Sequence, residues 1–137
     1  MAIFKLYTDG ASRSNPGPAG AGAVLLDSRH RIVEKKHRYL GEETNNVAEY
    51  QALILGLSMA LQHGVKSLAI YLDSELVVKQ VQGEYRVKDE NLKGLFRQVC
   101  SLLQRIDKYT IQHIERALNK EADQLANLAI DLSSHDL

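Results

Sequence analysis

Ser67-Leu68-Ala69-Ile70-Tyr71-Leu72-Asp73 carries no charge until its last residue. An apolar run of this length without alternation reads as a strand buried on both faces, the habit of a central parallel strand. Such a strand needs crossover connections and helices over the sheet. The flanking sequence supplies them. Upstream, residues 46–63 place Val47, Tyr50, Ile54, Leu57 and Leu61 at helical steps of three and four, while Leu53, Leu55, Met59 and Ala60 make the opposite side nearly as apolar. That helix is expected to be deeply buried. Downstream, residues 74–82 form a short helix ended by Gly83, and residues 90–105 an amphipathic helix carrying Leu92, Leu95, Phe96, Val99 and Leu103.

Further out, residues 3–9 read as a strand that runs into Asp9-Gly10. Residues 10–20 hold both prolines and three glycines, which predicts a loop. Residues 21–26 and 32–40 follow as two strands joined by a polar turn. The second of these carries Arg31, Lys35, Lys36 and Arg38 at or beside it and belongs at a sheet edge. Residues 109–114 make a fifth strand, residues 119–130 a last helix, and residues 131–137 a tail expected to fray. The order is three strands, helix, strand, two helices, strand, helix. The expected fold is α/β: one domain over residues 1–137, with a five-stranded mixed sheet, its first three strands antiparallel, flanked by helices.

Composition agrees. The chain has 137 residues, 45% hydrophobic and 25% charged, with seventeen basic residues against seventeen acidic ones. A domain of this size buries roughly two-thirds of its unfolded surface and needs no staples. Net neutrality argues against binding nucleic acid or membrane by overall charge, though not against a local basic face. The single Cys100 excludes an intramolecular disulfide and reads as a small buried hydrophobe in a reducing compartment. No apolar run approaches the length of a membrane span, and the first ten residues have no export pattern. A soluble, cytoplasmic protein is expected.

Four acids share a structural address. Asp9 closes the first strand and Asp73 the fourth; Glu49 lies early in the long helix, Asp123 early in the last. Ligands of open α/β sheets bind at the carboxyl ends of the strands. Asp9 and Asp73 each follow a tyrosine by two residues, Tyr7 and Tyr71, so a matching face on two neighbouring strands is expected. Singly, each acid has a plainer explanation. Asp9-Gly10 is a turn dipeptide and Asp73 an available helix cap. Asn46 and Glu49 have capping-box spacing, and Asp123 can pair with Lys120 or favour the helix dipole. Converging, they would repel one another unless hard cations such as Mg²⁺ or Mn²⁺ neutralise them.

Four blocks decide between these readings: Tyr7-Thr-Asp-Gly-Ala-Ser-Arg-Ser-Asn-Pro-Gly-Pro-Ala-Gly-Ala-Gly-Ala23, Thr44-Asn-Asn-Val-Ala-Glu-Tyr-Gln-Ala-Leu53, Asp73-Ser-Glu-Leu-Val77 and Asn119-Lys-Glu-Ala-Asp-Gln-Leu-Ala126. In this order they resemble type 1 ribonucleases H, from residue 3 to about residue 130. The resemblance implies an endonuclease that cuts the RNA strand of RNA–DNA hybrids, leaving 5′-phosphate and 3′-hydroxyl ends. Its acidic tetrad falls on Asp9, Glu49, Asp73 and Asp123, holding two Mg²⁺ ions (or Mn²⁺), with Asp9 as the bridge. It further implies that Gly10, Asn15, Asn45 and Asn46 approach the hybrid, the amides reading 2′-hydroxyls, and that Thr44 touches a DNA phosphate. A monomer working on the hybrid, with no membrane partner, is expected.

Two departures stand out. Residues 80–90 are short and charge-balanced where many relatives carry a basic protrusion, so hybrid affinity should be modest; Lys35 and Lys36 either compensate or protect the edge. The histidine that many relatives carry before the last helix is missing. Arg116 is expected to stand over the tetrad and steady phosphate charge, whereas His113, next to Ile114 and in phase with Ile111, is expected to be packed in the core. The rival functions are a non-catalytic nucleic-acid-binding domain of the same fold and a related metal nuclease acting on double-stranded RNA or DNA.

Overall fold

A computed structural model describes residues 2–135, with side chains through residue 133. Strands β1 (Phe4–Ser12), β2 (Gly17–Leu26), β3 (Ile32–Glu43), β4 (Ser67–Leu72) and β5 (Lys108–His113) form one sheet in the order β3-β2-β1-β4-β5. β1 pairs antiparallel with β2 and β2 with β3; β1–β4 and β4–β5 are parallel. The mixed sheet read from the sequence is therefore present, with β3 at one edge. The helices are α1 (Asn45–Gln62), α2 (Glu75–Val81), α3 (Glu90–Leu103) and α4 (Lys120–His135), and a 3₁₀ turn spans Arg116–Leu118. No helix among the described residues is long and apolar enough to cross a membrane.

α1 is apolar all round because it is covered all round. It lies across β1 and β2 on one side and against α3 on the other, burying Tyr50, Leu53, Leu57 and Met59 completely. The Tyr50 hydroxyl is satisfied within this core, donating to Gln80 Oε1 of α2 at 2.7 Å. α4 covers the other face of the sheet over β2. It can lie that close because Gly22 has no side chain: a Cβ there would overlap the Ala122 carbonyl oxygen.

Several boundaries differ from the sequence reading. The loop expected over residues 10–20 shrinks to residues 13–16, because β1 continues to Ser12 and β2 starts at Gly17. Ala19, Ala21 and Ala23 are completely buried in this stretch, so the small residues are there to let helices approach. Pro18 is tolerated because its carbonyl accepts from Arg13 N–H at 3.0 Å. Its missing donor therefore faces the turn and not the β3 ladder.

α1 is capped by Thr44, whose hydroxyl accepts from Val47 N–H, and Asn46 sits inside the first turn instead of capping it. α2 is capped by Ser74, which leaves Asp73 free of that duty. The expected frayed tail is helical through His135, with Asp131 paired to Arg13 at 2.7 Å; residues 136–137 of that expectation lie outside the described residues. His113 is exposed, contrary to the packed position expected, because β5 is an edge strand and its in-phase neighbour Ile111 alone reaches cover. Cys100 is half-buried, not fully buried.

Candidate metal centre and nucleic-acid interface

Asp9 lies on the central strand and is 4% exposed. The parallel register Tyr7↔Tyr71, carried two residues on, sets Asp73 abreast of it. The two tyrosine rings stack below the acids with centroids 5.0 Å apart. Glu49 enters from α1. The next residue of β1, Gly10, touches the α1 backbone so closely that a Cβ would overlap the Ala48 carbonyl carbon. At that contact the Gly10 N–H donates to Glu49 Oε1 at 2.9 Å. The glycine is required by helix packing, and its amide orients an acid of the site.

Ligand oxygens of Asp9, Glu49 and Asp73 lie within 4.8 Å of one another. Asp123 stands outside that trio but lines the same cleft. Its helix is pinned to the central strand by Asn119, whose amide donates to the Thr8 carbonyl oxygen at 2.8 Å. Asn119 also accepts, through its backbone oxygen, from Asp123 N–H. Arg116 lines the same cleft, its guanidinium 3.8 Å from Asp123 Oδ1 and its side chain 81% exposed.

The electrostatics follow from this crowding. Burial, and then the neighbouring Glu49, hold the Asp9 carboxyl far above the usual carboxylate range. Burial also pushes Glu49 up, to about 7, against the lowering effect of its hydrogen bonds from Asp9 and the Gly10 amide. Glu49 Oε2 and Asp73 Oδ2 are buried without a hydrogen-bond partner. Unpartnered buried carboxylate oxygens cost free energy, and a donor set of clustered hard oxygens fits a divalent cation such as Mg²⁺ or Mn²⁺.

On the rim, Asn15 and Asn45 meet: Asn15 Oδ1 accepts from the Asn45 backbone N–H at 3.0 Å. Asn45 lines the acidic cleft, and Asn15, Asn45 and Asn46 are all exposed. The Thr44 hydroxyl is engaged as the α1 cap. Four cleft residues were not among the sequence candidates: Ala11, Ser12, Arg13 and Asn127. Asn127 follows Asp123 by one helical turn, a spacing that could have exposed it.

A mixed sheet bearing an acidic cleft at the carboxyl ends of its two central parallel strands defines the class of protein. A family model described as reverse transcriptase-like matches residues 7–129. A bifunctional protein of Mycobacterium tuberculosis is 41% identical over 94% of this chain and 36% of its own length. Ribonuclease HI of Halobacterium salinarum is 42% identical over 91% of this chain and 63% of its own, and ribonuclease H of Hahella chejuensis 34% identical over 95% of each. The chain thus spans about a third to two-thirds of the first two relatives. Among solved structures, the N-terminal ribonuclease H domain of the mycobacterial protein superposes with a TM-score of 0.94 at 38% identity, covering 99% of both chains. LC11-RNase H1, a compost-metagenome protein crystallised in complex with an RNA/DNA hybrid, gives 0.88 at 39%, covering 97% of this chain and 99% of its own. The chain belongs to the type 1 ribonuclease H family of hydrolases.

Proposed function

We propose that this domain is a divalent-metal-dependent endonuclease that hydrolyses the RNA strand of RNA–DNA hybrids, leaving 5′-phosphate and 3′-hydroxyl ends. The observation that carries the reading is the convergence of Asp9, Glu49 and Asp73 within 4.8 Å, with two of their buried oxygens unpartnered. A binding module has no use for that arrangement, which raises the cost of the empty site. The hybrid bound by LC11-RNase H1 supports the substrate class.

In this reading Asp9, Glu49 and Asp73 would hold one cation, and Asp123 together with Asp9 would serve a second. Cations bound there supply Lewis-acid activation of a water and charge stabilisation of the leaving 3′ oxygen. The chain's own groups do the rest. The Gly10 amide keeps Glu49 turned into the cleft. Asp9 and Glu49, both raised, give up protons when metal binds. The Asn15 amide nitrogen and the Asn45 and Asn46 side chains offer donor–acceptor groups for ribose 2′-hydroxyls. Arg116, exposed above Asp123, binds phosphate oxygens and steadies developing charge without serving as a base. Mg²⁺ is the physiological ion of this proposal, and the domain works as a cytoplasmic monomer.

The test is a strand-labelled RNA–DNA hybrid, an RNA duplex and a DNA duplex, each incubated with Mg²⁺, Mn²⁺ or EDTA. RNA-strand cleavage of the hybrid that stops in EDTA is expected. Cleavage of the DNA strand, activity surviving EDTA, or tight hybrid binding with no cleavage overturns the proposal.

A further inference from the structure

Asp123 differs from the other three acids in how it is held. Glu49 is fixed by a backbone amide from β1 and Asp9 sits within the central strand, but Asp123 is on a helix turn with its side chain 29% exposed. One turn further along α4, the Asn127 amide nitrogen donates to the Asp123 carbonyl oxygen at 3.0 Å and to its carboxylate Oδ1 at 3.3 Å. The other end of the same amide is engaged from outside. The Arg13 guanidinium donates to Asn127 Oδ1 at 3.4 Å and to its carbonyl oxygen at 3.3 Å, and it reaches Asp131 at 2.7 Å.

An amide has two unlike ends, and its neighbours decide which way it lies. A rotated Asn127 would set its NH₂ against the guanidinium and its oxygen against two oxygens of Asp123. Both contacts would be repulsive. Arg13 thereby selects the orientation in which the amide donates to Asp123. Asn127 therefore holds the same carboxylate oxygen, Oδ1, that the Arg116 guanidinium approaches at 3.8 Å from the cleft side. The ion pair from Arg13 to Asp131 joins side chains 42% and 57% exposed, so it contributes little to stability. Its place is better explained by what it does to Asn127.

We propose that Asn127 is a positioning residue for the Asp123 carboxylate, and that Arg13 acts through it, so that the turn after β1 and the metal site are linked in series. This rests on the metal-site reading of the cleft. Groups that orient a metal-ligating carboxylate affect metal affinity or activity by roughly 10- to 100-fold.

The experiment titrates the substrate-free protein with Mn²⁺, following free ion by electron paramagnetic resonance, and measures Tm in EDTA. Asn127→Ala should weaken Mn²⁺ binding by about tenfold and Arg13→Ala by a smaller factor, with Tm in EDTA close to wild type. Because the two act in series, the double variant should bind no more weakly than Asn127→Ala alone. Asn127→Gln, which keeps the amide, should recover part of the loss. In hybrid cleavage the same variants should need more Mg²⁺ for half-maximal rate yet approach wild-type kcat at saturation. Wild-type Mn²⁺ affinity in Asn127→Ala, or additive losses in the double variant, overturns the proposal. Should Asn127→Ala fail to fold, Arg13→Ala decides on its own, and undiminished Mn²⁺ binding there overturns it. A wild-type protein that binds no Mn²⁺ brings down the metal-site reading itself and this proposal with it.

Discussion

Asp9→Asn should make the metal-free protein more stable, by an amount that depends on pH. In the folded state burial and the Glu49 carboxyl push Asp9 up to about 11, against about 3.9 in an unfolded chain. The folded state therefore holds this proton more tightly. Stability is greatest below the unfolded pKa and falls as pH rises toward the folded one, by up to about 1.4 kcal/mol per pH unit for one proton. At pH 7 the cost cannot exceed the work of keeping an ordinary carboxyl protonated, about 4 kcal/mol for some three pH units. Asparagine keeps the volume, removes the proton linkage and can still donate to Glu49. The expected gain is about 1–4 kcal/mol at pH 7, shrinking to nothing near pH 4. For a domain of this size each kcal/mol raises Tm by roughly 3–5 °C. The assay is urea unfolding of both proteins in EDTA between pH 4 and 8. Saturating Mg²⁺ should reduce or reverse the difference, because only the wild type gains from binding. A variant less stable than wild type at pH 7, or a difference that does not vary with pH, would refute the reasoning and make Asp9 a structural residue.

Three further outcomes are expected. Replacing Lys35 and Lys36 together with Ala should leave hybrid affinity and its salt dependence unchanged, because Lys35 pairs with Glu121 at 3.3 Å and Lys36 with Glu34 at 3.8 Å; a shallower salt slope would place them on the substrate. Arg116→Ala should lower turnover at saturating metal without changing Tm, whereas His113→Ala, on an exposed edge strand, should change neither; paired kinetics and melting curves separate the two. Gly10→Ala should destabilise by about 3 kcal/mol or more, since the added methyl meets the α1 backbone and not a movable side chain; a well-folded variant would show that α1 can shift.

The sequence alone carried the element order, the central place of Ser67–Leu72 and the edge character of β3. These rest on hydrophobic period and local charge, which act over a few residues and leave their mark in the chain itself. The four acids were also legible, because each lies where the sequence pattern expects a strand end or a helix opening (β1 in fact runs three residues past Asp9, to Ser12), and the ordered motif blocks around them resemble one family. What could not be read were distances between segments remote in sequence. Residues 10–20 look like a loop until α1 and α4 are seen pressing on Gly10 and Gly20, where a glycine is needed for contact and not for a turn. His113 alternates correctly with Ile111, yet period says nothing about whether a strand has cover on that side, and β5 has an open edge. Asn127 and Arg13, 114 residues apart, meet only when α4 is laid over the sheet. Local propensity determines which elements form; packing between them decides which oxygens and amides face one another, and the site is built from those meetings.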